Sequence, residues 1–148
     1  MAENIVLTNK YIVMRTIKFR VWDGEKMISE SRQDEYDDYY MLNLQGEFFG
    51  HTRTGDEWFD YNKDETNKKP FVLMQFTGLK DSRDIDIYEG DIIKKTYGAS
   101  IPVFAVAWHD ARAMFIQHDG YNEALFHLAP ANMKVIGNIY ENPDLLKV

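Results

Sequence analysis

Cysteine is absent from all 148 residues, which excludes a disulfide framework, a thiolate metal site and thiol catalysis together. No apolar run approaches the roughly 18 residues a membrane-spanning helix requires. The first residues, Met1-Ala-Glu-Asn-Ile-Val-Leu, lack the basic lead-in of a signal peptide. A soluble chain in a reducing cytoplasm, with no membrane partner, is the expectation. Also missing are the Gly-x-Ser-x-Gly elbow, the Walker-type lysine loop and the Gly-x-Gly-x-x-Gly turn. No catalytic or cofactor-binding residue can therefore be nominated on the common patterns, and a non-enzymatic role is expected. Long amphipathic helices are missing too, which argues against a doubly wound parallel sheet.

What is present suffices for a core. Hydrophobic residues make up 45% and aromatics 14% of the chain, enough to offset ordering entropy without covalent staples. The net charge of -7 is unevenly placed: Asp23 to Glu65 holds 13 acids against 4 bases, a balance of -9, and the remainder carries +2. An acidic chain makes no phosphate-neutralising field over its whole surface, so sequence-independent nucleic-acid binding is disfavoured.

Alternation of apolar and basic residues in Ile17-Lys-Phe-Arg-Val-Trp predicts a strand with Ile17, Phe19 and Val21 on one face and Lys18 and Arg20 on the other. Asp23-Gly24 predicts the turn of a hairpin into Met27-Ile28. From Ser29 to Asn67 glycines at 46, 50 and 55 interrupt the chain too often for a long helix. Met41-Leu-Asn-Leu, Glu47-Phe-Phe-Gly and Glu57-Trp-Phe-Asp-Tyr read there as short strands, with one helical turn and links between. Phe71-Val-Leu-Met-Gln-Phe predicts a buried strand, and Glu89-Gly-Asp a sharp bend into the strand Asp91-Ile-Ile-Lys-Lys. Val103 to His109 and Ala113 to His118 predict a hairpin linked by Asp110-Ala-Arg. Tyr121 to Leu128 fits either a strand or a brief helix, and Met133 to Tyr140 is the last strand. The fold class is mainly β, a small barrel.

Three kinds of chemistry are candidates. His109, His118 and His127 recur every nine residues, but zinc ligands normally use short local spacings, so no metal ligand is assigned. Carboxylate pairs such as Asp84 with Asp86 and Glu89 with Asp91 read mainly as solvated or turn-capping groups. Asp84 and Asp86 would share a side in an extended segment and suit a hard cation or a basic partner. The strongest binding candidate is the acidic, aromatic segment: Asp34, Glu35, Asp37 and Asp38 beside Tyr39, Tyr40, Trp58 and Tyr61 combine negative field with rigid aromatic area. Such a surface fits a basic protein partner.

Phe71 to Asp81, Ile87 to Lys95, Ile17 to Asp23 and Val135-Ile-Gly-Asn-Ile-Tyr-Glu-Asn-Pro together resemble the YopX family of phage and prophage proteins. The family has no settled biochemical activity. The resemblance implies a cytoplasmic protein of a bacterial host cell with an SH3-like barrel in its C-terminal half. The expected organisation is an N-terminal arm without order at 1–13, a strand and hairpin region with an irregular acidic insertion at 14–70, and the barrel at 71–148. The leading functional expectation is a protein-interaction module, with no cofactor, that self-associates. Alternatives are a nucleic-acid-associated barrel using Lys18, Arg20, Lys94 and Lys95, a DNA-mimicking inhibitor of a host protein, and a metal-dependent hydrolase built on the later histidines.

Overall fold

The protein was analysed as a computed structural model. It describes residues 16–28, 39–43, 48–51, 58–60, 71–96, 103–119, 123–125 and 132–146. The expected arm at 1–13 lies outside them. The chain is mainly β, as its alternating patterns predict, and its sheets curl into a half-barrel. Among the described residues every strand pairing is antiparallel.

The first sheet joins β1 (Phe19–Trp22), β2 (Met27–Ile28), β6 (Val72–Lys80) and β7 (Asp86–Tyr88) in the order β2-β1-β6-β7. Asp23 closes the first hairpin, its carboxylate accepting from Glu25 N and Lys26 N at 2.8 Å each. β1 then lies along β6, with Val21 opposite Leu73, so the N-terminal hairpin and the segment from residue 71 share one sheet. A second sheet contains β8 (Asp91–Lys95), β9 (Val103–His109), β10 (Met114–His118), β11 (Glu123–Leu125) and β12 (Met133–Asn138), ordered β11-β10-β9-β8-β12. The 3-10 turn Asp110–Arg112 makes the predicted link between β9 and β10. A third sheet, from the acidic region, consists of β3 (Tyr39–Leu42), β4 (Phe48–His51) and β5 (Trp58–Asp60). The three apolar pieces predicted there as short strands are short strands.

The core lies where the first two sheets meet. Ile87 of β7 packs with Ile93, Phe104, Val106 and Met133, and Leu79, Phe115 and Val135 close around them. Ile87, Ile92 and Ile93 have no exposed surface, and each such side chain contributes roughly 1.5–3 kcal/mol. Burial on both sides of β8 explains why its apolar residues run consecutively instead of alternating.

The turn between β6 and β7 is tied to β12 by a single carboxylate. Asp81 Oδ1 accepts from Arg83 N at 2.7 Å and Ile85 N at 3.1 Å, and Oδ2 accepts from Val135 N at 3.1 Å and from Arg83 Nη2 and Nε at 2.7 and 3.1 Å. Arg83 Nη2 also donates to Val135 O at 2.6 Å, and Ser82 N to Met133 O at 3.0 Å. The side of β12 away from β8 thus finds its partners in a turn. Burial pushes the Asp81 carboxyl up, but Arg83 and the three backbone N–H groups outweigh it and hold the carboxyl at about 2.

Candidate functional site

The Glu89-Gly90 bend is the joint between the first two sheets. Glu89 N donates to Gln75 O of β6 at 2.9 Å, Gly90 N to Val106 O of β9 at 2.8 Å, and Ile139 N to Gly90 O at 2.9 Å. Gly90 has φ +77°, which favours glycine, and a Cβ there would meet Met74 Sδ at a tight 3.1 Å. Asp91 behaves as its position predicts, accepting from Tyr88 N at 2.7 Å.

Beneath the bend lies a buried ion pair. Arg20 Nη2 stands 2.7 Å from Asp91 Oδ1, off the direction of a hydrogen bond, and donates to Glu89 O at 3.2 Å. The guanidinium also lies 4.8 Å over the Tyr88 ring. The faces of β1 alternate as predicted, and both are partly covered: Val21 is buried on one, and on the other the Arg20 side chain is only 11% exposed. Burial pushes the Asp91 carboxyl up, and the charge of Arg20 and the Tyr88 N–H pull against it.

Between β6 and β9 the joint opens into a cleft of about 120 Å³, lined by Val72, Met74, Glu89, Val106, Ala107 and Tyr140 among others. Tyr140 is placed by the chain end. Asn138 Oδ1 accepts from Tyr140 N at 3.0 Å and Glu141 N at 2.9 Å, and Asn142 Oδ1 accepts from Asn138 N at 3.3 Å. Gly137 leaves room for Asn142, whose Oδ1 would stand 2.4 Å from a Cβ at 137. The Tyr140 ring stacks on Trp22, centroids 5.6 Å apart at 17°. Burial pushes the Glu89 carboxyl up, Asp110 adds to the rise, and N–H donation from Gln75 and Trp108 opposes it. Burial likewise raises the Tyr140 hydroxyl, and Glu89 raises it further.

Sequence reasoning missed this place. It treated Glu89 as a turn or solvated acid and gave Trp22 and Tyr140 no role. The available signal was that all three sit in the segments carrying the family resemblance, which the fold brings to one cleft.

Of the sequence-derived partner-binding residues, Tyr39, Tyr40 and Trp58 lie on the strands of the third sheet. Tyr39 and Trp58 both register with His51 of β4, and Tyr40 with Gly50, so Tyr39, His51 and Trp58 form one row across the three strands. Asp34, Glu35, Asp37, Asp38 and Tyr61 fall outside the described residues. The basic residues of the nucleic-acid alternative are in part engaged internally. Besides Arg20, Lys18 Nζ pairs with Asp86 Oδ2 at 2.6 Å, and Lys95 lies 5.5 Å over the Phe104 ring.

Asp84 and Asp86 do not share an extended segment, for Asp84 has φ +66°. Both face lysine instead, with Lys80 Nζ at 2.9 Å from Asp84 and 3.7 Å from Asp86. Among the described residues no three His, Cys, Asp or Glu side chains gather to hold a metal ion. His109 ends β9 at the hairpin tip, where Nδ1 accepts from Arg112 N at 3.3 Å, whereas His118 pairs with Ala105 at the other end of the hairpin. Four strand steps separate these ends, on the order of 13 Å. His127 lies outside the described residues. No helix among the described residues is long and apolar enough to cross a membrane.

A family model described as YopX protein matches residues 18–147. Protein EF1440 from Enterococcus faecalis has a similar structure, 28% identical with a TM-score of 0.54, the match covering 88% of this chain and 98% of that one. Protein YopX from Bacillus subtilis is similar at 24% identity and a TM-score of 0.56, covering 90% of this chain and 97% of that one. None of the curated proteins matches the sequence.

Proposed function

Because the chain belongs to the YopX protein family, we propose that it is a phage or prophage accessory protein that acts by binding another protein, without catalysis, in the cytoplasm of a bacterial host. One observation carries this reading: the third sheet aligns Tyr39, His51 and Trp58 in one row. Residues scattered along an acidic sequence are thereby gathered on a small sheet, and Asp34, Glu35, Asp37 and Asp38 lead directly into its first strand. Aromatic area supplies contact at low entropic cost, and carboxylates adjoining it in sequence select a basic surface.

The partner is accordingly a protein with an exposed patch of lysine and arginine. Changing Asp34, Glu35, Asp37 and Asp38 together to their amides is expected to weaken binding of a lysine- and arginine-rich probe peptide at least tenfold at low ionic strength, measured by fluorescence anisotropy. The thermal midpoint should stay within about 2 °C. Unchanged affinity would remove this surface from the proposal.

A further inference from the structure

We propose that the cleft between β6 and β9 is a binding site for an organic monocation: a primary ammonium or guanidinium head on an apolar stem of about four carbons. The site is built from other elements than the third sheet and stands or falls independently of it. Its size sets the first limit. An apolar cavity of about 150 Å³ accepts benzene, so a cleft of about 120 Å³ suits a group of roughly five heavy atoms. Its walls set the second: Val72, Met74, Val106 and Ala107 offer only apolar side chains.

Charge decides the head group. Glu89 lines the cleft, and Asp110 stands near enough to act on its carboxyl. Among the described residues no lysine or arginine pairs with Glu89. Arg20, the nearest cation beneath, is matched by Asp91 at 2.7 Å and reaches only the backbone carbonyl of Glu89. Among the described residues only the backbone N–H groups of Gln75 and Trp108 bear favourably on the Glu89 carboxylate, which leaves acceptor capacity unused. A half-buried carboxylate with spare acceptor sites favours a ligand that brings both a positive charge and N–H donors. An anion is repelled by the two acids, and a neutral donor leaves the charge uncompensated. Tyr140, braced by its stack on Trp22, adds an aromatic wall of the kind cations select.

Calorimetric titration near pH 8 with n-butylammonium, n-butylguanidinium, n-butanol and butyrate tests the assignment. The two cations are expected to bind saturably, with Kd of roughly 1–10 mM, as a ligand placing five or so of its atoms in the cleft can achieve, and at least tenfold more tightly than n-butanol. Butyrate should not bind. Glu89→Gln keeps an acceptor oxygen for Gln75 and Trp108 and should abolish the preference for cations over n-butanol, with an unchanged circular dichroism spectrum. Two further variants guard against a folding failure there. Exposed Asp110→Asn should weaken cation binding about threefold, and Ala107→Leu should block every ligand while leaving both acids in place. Equal binding of n-butanol and n-butylammonium, no saturation by any cation, or an undiminished cation preference in Glu89→Gln would overturn the proposal. A blocked Gly-Lys-Gly peptide separates the two sources of such a head group. Binding tighter than n-butylammonium supports the site with a partner's side chain as occupant, and weaker binding supports it with a free amine.

Discussion

Asp81 shows how much one side chain can settle. Its carboxylate is fully buried and receives five hydrogen bonds from Arg83, Ile85 and Val135. With its folded pKa at about 2, below the ordinary 3.8, the ionised form is favoured in the folded state. The linked stabilisation, about 2 kcal/mol, is complete above the unfolded value and is lost as pH falls from about 4 through about 2. Asp81→Asn, which turns an amide N–H₂ toward N–H donors, should cost about 2–4 kcal/mol at neutral pH in urea unfolding. The gap from the wild type should narrow steadily below pH 4, and a gap constant down to pH 2 would contradict the role given to the charge. The sequence showed Asp81 only as the acid that ends the segment Phe71 to Asp81. Its importance depends on Val135, brought close by a long-range pairing that no local pattern records.

At the scale of elements, alternation made β1 recognisable and separated its two faces, with Val21 buried on one of them. Period two separates two faces without saying which is covered, and β1 turns its charged side toward a buried acid on β8. Removing one partner of such a pair strands the other: Arg20→Met should destabilise by about 3–5 kcal/mol. The double change Arg20→Met with Asp91→Leu should recover part of that loss in the same denaturation assay, and a purely additive double variant would argue against coupling. The Glu-Gly-Asp bend was legible, because glycine followed by aspartate announces its backbone chemistry locally. Gly90→Ala should cost roughly 1–3 kcal/mol from the left-handed conformation and the contact with Met74 Sδ. A loss below about 0.5 kcal/mol would show that the bend relaxes into another conformation.

For the whole molecule, strand order and the cleft were the illegible parts. Hairpins declare themselves through turns, whereas β1 beside β6 and β12 beside β8 are pairings across long stretches of chain. The cleft needs three such segments at once, and no local pattern ties Trp22, Glu89 and Tyr140 together. Self-association is a proposal at this scale, motivated by the exposed Trp108 and Ile136. Sedimentation velocity over a wide concentration range is expected to show a dimer or larger species, and a monomer throughout would reject it. The bend at Glu89 and Gly90 fastens two sheets through a few backbone hydrogen bonds, with the cleft beside it. Whatever fills that cleft acts as a clasp, and by mass action it must raise the melting temperature of the entire fold. A natural occupant can therefore be sought by heat resistance alone, in a collection of cellular metabolites, before any partner is known.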